Sequence, residues 1–591
     1  MWIYANPLRL ANNYAQYEAS TIPEHQPGGG SFSIYRFTLE ALYEQFTLVR
    51  NWWTQSNNGL PLIRYRGCKL KLYRSDDVDY VVRYCNCFPM SDTELMHISA
   101  QPSVMMLNNQ KILVPSKKTK PRGKPYVIKR IPPPSQMLTK WFFQKDIART
   151  GLLMTTISAA SFDHYFIDSW AQSTNATVTS LNTTIFQSRN FQNLGTTGYV
   201  PKPQYYMYAT TNGSDNPQVK ELIYLGNTLL RQQGTVINNT NLQDYNTKPE
   251  YWGNPFWHMY LNKNVTLWVG KTSHTDLFKQ NNLTKRVSPE FLTKMEQELI
   301  IKCRYNPERD TGVGNKIYIL KNTRNESGWD PPSNDNLILE GFPLWLILFG
   351  WTDWQKKLGE AQQIDINYIL VIQSNFLSPK LPYYVLIDNA FINNKSPFGQ
   401  EDGDVTPSDN NHWYPKLNFQ YSSINILVET GPGIPRFGNK KALESKFEYT
   451  FYFNFGGCPA KQELINDPSK QPQYPVPDNI LQTTSLQSPE TSIESYLYSF
   501  DERRGTITKR AAKRLKEYTD SEISLFTDGR QTALDPQVHK TTKAFKTQQD
   551  STSDSEEEEE TLFEQLQHHR RKQKLLRDRI LRLVTTIQQL E

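Results

Sequence analysis

Between Phe447 and Phe455 five aromatic side chains, Phe447, Tyr449, Phe451, Phe453 and Phe455, alternate without a break with Glu448, Thr450, Tyr452 and Asn454. Successive side chains of an extended chain point to opposite faces, so this period of two puts all five rings on one side of a strand. A face of that kind has to bury itself against another apolar layer, which makes the segment a core strand. After Gly457 the chain turns Pro- and Gln-rich (NDPSKQPQYPVPDN), then Ser/Thr-rich, and loses periodicity up to about residue 550. That composition predicts a disordered linker over 461–550. The partners of the late strand are therefore expected far upstream, before residue 175.

The upstream chain reads as strands. Residues 1–30 are polar and rich in turn formers, ending in PGGG, and form an arm before the strand FSIYRFTL. Leu39, Leu42, Tyr43, Phe46, Val49 and Trp53 then recur at helical spacing, predicting a short amphipathic helix over one end of a sheet. From Leu62 to Tyr73 the alternation changes phase: Ile63 and Tyr65 are apolar at odd positions, Cys68, Leu70 and Leu72 at even ones. A phase switch requires an extra residue, and Gly67 is the natural place for a bulge. Asp79–Phe88 and Tyr126–Ile131 are further strand candidates, with more between Lys140 and Trp170.

The 591 residues exceed what one core usually serves, and 12% aromatic residues with 36 Pro favour β structure. Residues 31–175 and 441–460 are read as two parts of one β unit, and 176–440, rich in Asn, Thr, Tyr and Gly, as an insertion with its own core. The longest apolar run, Phe342–Trp351, is far shorter than the roughly 20 residues a membrane-spanning helix needs. It is read as buried core, with no membrane insertion. Five cysteines, an odd number, do not make a disulfide framework, and no secretory leader opens the sequence. The chain is therefore assigned to a reducing compartment, and its N-x-S/T sites are read as chance matches in an Asn/Thr-rich region.

Linear signatures of catalysis fail on inspection. Gly270–Thr272 spells the end of a phosphate loop, but Val265 stands where that loop requires glycine. Phe37–Leu39 resemble the first motif of rolling-circle nucleases and Tyr260–Lys263 spells Y-x-x-K, yet the His-x-His metal pair of such enzymes is missing. Cys85 and Cys87 share a strand face without further ligands nearby and read as packed thiols. No catalytic residue, metal or cofactor is assigned. A rolling-circle initiator nuclease and a stand-alone glycan-binding β-sandwich are the competing readings.

Charge is concentrated in runs. Arg64, Arg66, Lys69, Lys71 and Arg74 lie within one predicted strand, and the bulge leaves several on the face away from the core. Lys117, Lys118, Lys120, Arg122, Lys124, Lys129 and Arg130 follow in a Pro/Gly-interrupted stretch without an acidic residue. Uncompensated cations of this density predict a polyanionic partner, bound through phosphates without reading sequence. Lys509, Arg510, Lys513, Arg514 and Lys516 have the character of a nuclear-import signal. In 551–591 an acidic tract precedes a helix whose seam includes Leu576, Ile580, Leu583, Ile587 and Leu590, a candidate oligomerisation helix.

PGGGSFSIYRFTLEALYEQF, NGLPLIRYRGCKLKLYR, KWFFQKD, ELIYLGNT, RYNPERDTGVGN, PLWLILFGWTDW and FNFGGCPAK, in this order over residues 7–461, resemble the capsid proteins of anelloviruses, the torque teno-type viruses. The resemblance implies a mainly β fold: a viral jelly-roll sandwich whose final strand follows a large inserted spike, with a variable tip at about 220–300. It implies a non-enzymatic homo-oligomer forming an icosahedral shell around circular single-stranded DNA. The spikes would face a host receptor, and the protein would occur in the virion and, during assembly, in the host nucleus and cytoplasm. Family members begin with an arginine-rich arm, whereas residues 1–30 here contain only Arg9. This departure puts the two basic runs forward as the remaining genome contacts.

Overall fold

The computed structural model describes residues 32–474 apart from 139, 164–172, 187–205, 226–252, 262–264, 273, 278, 323–327, 398–404, 407–408, 410–412 and 436–442, together with short strand pieces at 2–5, 13–14, 502–503 and 506–507. Met1–Arg530 form one compact unit. The terminal basic run, the acidic tract and the seam from Leu576 to Leu590 lie outside the described residues.

Two antiparallel sheets enclose the first core. One has the order β1 (Trp2–Ala5), the late strand (Leu443–Gly456), β4 (Leu62–Tyr73) and β7 (Tyr126–Ile131), with β8 (Phe142–Phe143) also on β4. The other has the order β2 (Asn13–Tyr14), β3 (Phe32–Thr38), β9 (Gly151–Ala160), β5 (Asp79–Cys85) and β6 (Lys111–Val114). All these pairings are antiparallel except β2 on β3. The late strand thus joins strands that precede residue 175, as its aromatic face requires. Phe447 lies opposite Leu72 and Phe455 opposite Ile63, and the rings of Phe447, Tyr449 and Phe451 meet Phe37 across the core at 6.4, 5.4 and 5.2 Å.

The bulge falls where the phase change demanded it. Tyr452 pairs with Gly67 and Phe453 with Tyr65, leaving Arg66 as the extra residue. Gly67 has φ +110°, and a Cβ there would lie 2.6 Å from the Ile131 carbonyl oxygen, so no larger residue fits. Helix α1 (Leu39–Thr47) follows β3, its first turn capped by the Thr38 hydroxyl, which accepts from the Ala41 amide at 3.0 Å.

Residues 176–435 build three further small sheets. Their orders are β19 (Leu377–Ser378), β15 (Ile300–Tyr305), β10 (Ala176–Leu181), β20 (Val385–Leu386); β12 (Ile223–Tyr224), β11 (Tyr206–Thr210), β13 (Thr266–Gly270), β14 (Thr293–Lys294); and β17 (Ile338–Glu340), β16 (Lys316–Lys321), β18 (Tyr368–Gln373). Two apolar clusters belong wholly to this stretch. A third does not: it joins Phe32, Ile34 and Met154 of the second sheet to Val178, Cys303, Phe349, Trp351 and Leu370. Phe32 stacks on Phe349 at 5.2 Å. The inserted region is therefore not closed on itself, because β3 sends Tyr35 and Phe37 into the first core and Phe32 and Ile34 into the shared one. The apolar run from Phe342 is buried as two short helices, Leu344–Ile347 and Trp351–Leu358.

Order also runs further than composition implied. Residues 461–474 pack on the early chain: Asn57 Nδ2 donates to the Asn466 carbonyl at 2.7 Å and the Asn466 amide donates back to Asn57 Oδ1 at 2.7 Å. Gln471 is buried and donates to the Asn57 carbonyl. A Pro/Gln-rich segment needs no apolar periodicity when buried side-chain amides satisfy its backbone.

Candidate nucleic-acid interface

The alternation that buries the aromatic rings also decides what the first sheet shows on its other side. On β4 that side carries Arg64, Arg66, Lys69, Lys71 and Tyr73, and on the late strand Lys446, Glu448, Thr450, Tyr452 and Asn454. On β7, Tyr126, Ile128 and Arg130 lie opposite Tyr73, Lys71 and Lys69. Arg66, Arg130, Lys446 and Tyr452 are exposed. The result is a cation-rich sheet face interleaved with tyrosines, suited to phosphates and to stacked bases without sequence readout.

Register sorts the predicted cations into different roles. Lys71 is paired within the face: its Nζ lies 3.2 Å from Glu448 Oε2 and 4.9 and 4.8 Å from the Tyr73 and Tyr126 ring centres. Hydrogen bonds to Tyr73 and Glu448 raise the Lys71 pKa, and bonds from Tyr73 and Lys71 hold the Glu448 carboxyl below its ordinary range. Lys129 lies opposite Leu70, so it belongs to the other side of the sheet, where its Nζ sits 5.6 Å from the Tyr84 ring centre. Lys117 pairs with Asp76 at 2.6 Å, both exposed.

Arg74 departs furthest from the expectation of a phosphate contact. It is buried, and its guanidinium donates to the carbonyls of Pro115 at 2.9 Å, Ser116 at 2.7 Å, Lys124 at 3.4 Å and Lys120. This cation, one residue past the end of β4, has turned inward because the loop after β6 presents carbonyls that only a multi-donor group can satisfy together. Buried Asp79 completes the anchor, accepting from the Ser116 amide at 2.5 Å and the Thr119 hydroxyl at 2.9 Å. Lys118, Lys120, Arg122 and Lys124 are thereby held exposed at the end of the sheets. Arg74→Gln is expected to cost about 2–4 kcal/mol of stability, since several buried carbonyls lose a charged donor. Hydrogen exchange checks this: amides of Lys117, Lys118 and Lys120 should lose protection first, and unchanged protection there would contradict the anchoring role.

Lys446, Tyr73, Tyr126 and Tyr452 were not singled out from the sequence. Lys446 and Tyr452 could have been found from the late strand's alternation, Lys446 by carrying it one residue upstream; Tyr73 and Tyr126 meet only through register. Cys85 and Cys87 are both buried, with the Cys85 thiol donating to the Cys87 carbonyl. Among the described residues no group of three or more His, Cys, Asp or Glu side chains could hold a metal, and no helix is long and apolar enough to cross a membrane. Tyr260 is 2% exposed in the insertion's core.

The chain is similar to the capsid protein of Torque teno mini virus 1, 37% identical over 86% of this chain and 77% of that one. It is also similar to the capsid protein of Torque teno midi virus 1 (29% identical; 85% and 72% covered) and to that of a Japanese macaque Torque teno virus (26%; 88% and 73%). The family model described as TT viral orf 1 matches residues 2–458, from β1 to just past the late strand. Since that match encloses both separated parts of the two-sheet core, the chain belongs to the TT viral orf 1 family.

Proposed function

We propose that this protein is a viral capsid subunit: a jelly roll that self-assembles into a small icosahedral shell around circular single-stranded DNA, with the inserted region projecting outward. The observation that carries this reading is the polarity of the two-sheet core. The second sheet's outer side is packed under the inserted region through Phe32, Ile34 and Met154, while the first sheet's outer side presents Arg64, Arg66, Lys69, Arg130 and Lys446. A shell subunit needs such an axis, with a projection on one side and a phosphate-neutralising face on the other. In this reading the cationic face and the loop at 118–124 line the interior. The region around 220–300 forms the variable tip of a spike that meets host surfaces and antibodies. The protein passes through cytoplasm and nucleus before residing in the virion.

Binding to a single-stranded oligonucleotide should weaken with salt, with a slope of about −0.7 per neutralised phosphate. Replacing Arg66, Lys69 and Arg130 together by Gln should make that slope shallower by about 2, whereas Lys71→Gln, already paired with Glu448, should change it little. Fluorescence anisotropy across a salt series reads both. A triple variant with an unaltered slope would remove the face from the proposal, and negative-stain microscopy showing only small species would remove the shell.

A further inference from the structure

We propose that the turn Leu48–Trp52 is a preformed contact through which one copy of this chain grips the next, an inference that rests on the capsid reading. Helix α1 ends in a Schellman turn: the Arg50 amide donates to the Gln45 carbonyl at 2.8 Å and the Val49 amide to the Phe46 carbonyl at 2.9 Å. The residue after the cap in this motif adopts the left-handed conformation, normally reserved for glycine or asparagine. Here it is Val49, at φ +57°, a β-branched residue for which that conformation is strained. Its side chain is 89% exposed and therefore gains nothing from its own fold. Trp52, three residues on, is 83% exposed, and Leu48 beside them is 48% exposed.

The turn is held in place from beneath. Asn51 Nδ2 donates to the Leu42 carbonyl at 2.7 Å, and Trp53 packs inward with its ring 6.3 Å from Phe46, 6.5 Å from Tyr43 and 6.5 Å from Phe455. Two adjacent tryptophans thus point opposite ways, one anchoring the turn in the core and one presented outward. A rigid aromatic and a β-branched side chain on one ordered projection have the composition of an interface centre, in a form that loses little entropy on docking.

Position selects the occupant. The turn sits at the end of the sandwich where β3 ends and β4 begins, resting through Trp53 on Phe455 at the end of the late strand, whereas Phe32 and Ile34, packed under the inserted region, open β3 at its other end. With the side under the inserted region outward and the cationic side of the first sheet inward, the ends of the sandwich are what neighbouring subunits meet. A second copy, presenting a different part of its own surface, fits such a head-to-tail contact, which closes into rings when the rotation allows.

The test uses the full-length chain with Trp52→Ser and Val49→Gly. Both variants should keep the parent's circular dichroism, and Val49→Gly should melt no lower than the parent because it relieves the left-handed valine. The fraction sedimenting as particles should fall about tenfold or more in each, as for truncation of a central interface residue. A photo-reactive benzoylphenylalanine at position 52 should cross-link to a second copy. Particles at parental yield from both variants would overturn this inference and leave the capsid reading standing; a folded parent that stays monomeric at every concentration would overturn both. Trp52-dependent binding to phosphatidylcholine–phosphatidylserine vesicles, with assembly unaltered, would assign the turn to lipid instead and likewise overturn the proposal.

Discussion

Phe447→Ala is expected to destabilise the protein by about 3–5 kcal/mol, the range for removing a fully buried ring from a core that cannot collapse around the gap. Phe447 is 1% exposed and packs on Tyr35 and Phe37 of the opposing sheet, with ring centres 5.7 and 6.4 Å away. The 282 residues from 161 to 442 separate this strand from β9, the preceding strand of the same core, yet it is paired along its whole length, with β1 over Leu443–Lys446 and with β4 over Phe447–Gly456. Tyr452→Ala provides the contrast. Its ring lies on the other side of the same strand and is 44% exposed, so its removal should shift stability by no more than about 0.5 kcal/mol. Denaturant unfolding of the two variants measures the difference directly. Equal losses would mean that the two sides of the late strand are not distinguished as the register requires.

How far the fold could be read in advance depended on which surfaces meet water. The late strand and β4 were legible because one side of each is wet, so polar and apolar residues alternate, and the phase change at Gly67 marked the bulge. β9, GLLMTTISAA, is buried at all ten positions between the first core and the shared one, and with no wet side it shows no period. The same double burial hid the junction between the sandwich and the inserted region: Phe32 and Ile34 look like ordinary strand residues until Phe349 and Trp351 are brought onto them from more than three hundred positions away. Charge runs were visible but their roles were not. Within one run of five cations, Arg66 is exposed, Lys71 is paired with Glu448, and Arg74 is turned inward to hold a loop. Only register and the carbonyls of Pro115, Ser116 and Lys120 separate these fates, and neither is written locally.

Stability should rise as pH falls from 8 to about 5.5, and Glu94→Gln should make that rise smaller by about 2 kcal/mol. Glu94 opens the helix Glu94–Ser99, where its carboxylate accepts from Trp351 Nε1 at 3.0 Å across the junction with the inserted region. Burial pushes its pKa from 4.5 to about 7, against the bond from Trp351 and the neighbouring His97. The surrounding charge is already committed: Asp92 lies 3.0 Å from His97 Nε2 and 3.0 Å from Lys357 Nζ. A carboxyl with a folded pKa above its unfolded one holds a proton more tightly in the native state. Its contribution is complete below the unfolded value and lost as pH rises through about 7. The full difference is about 3 kcal/mol, of which about 2 kcal/mol falls between pH 8 and 5.5. Asp388, pushed by burial to about 6, and Asp353, raised well above its ordinary value by burial, leave a residual slope of the same sign in the variant. Glu448, held below the ordinary carboxylate range by bonds from Tyr73 and Lys71, and Asp215, held there by Lys294, titrate beneath this window and do not oppose it. Denaturant unfolding of parent and variant at the two pH values decides the matter, since identical slopes would show that Glu94 is not the group responsible. If the slope belongs to Glu94, protonation in mild acid removes the cost of a buried charge at the junction with the inserted region and outweighs the weaker bond from Trp351, so the junction is most stable where surface ion pairs have not yet begun to protonate.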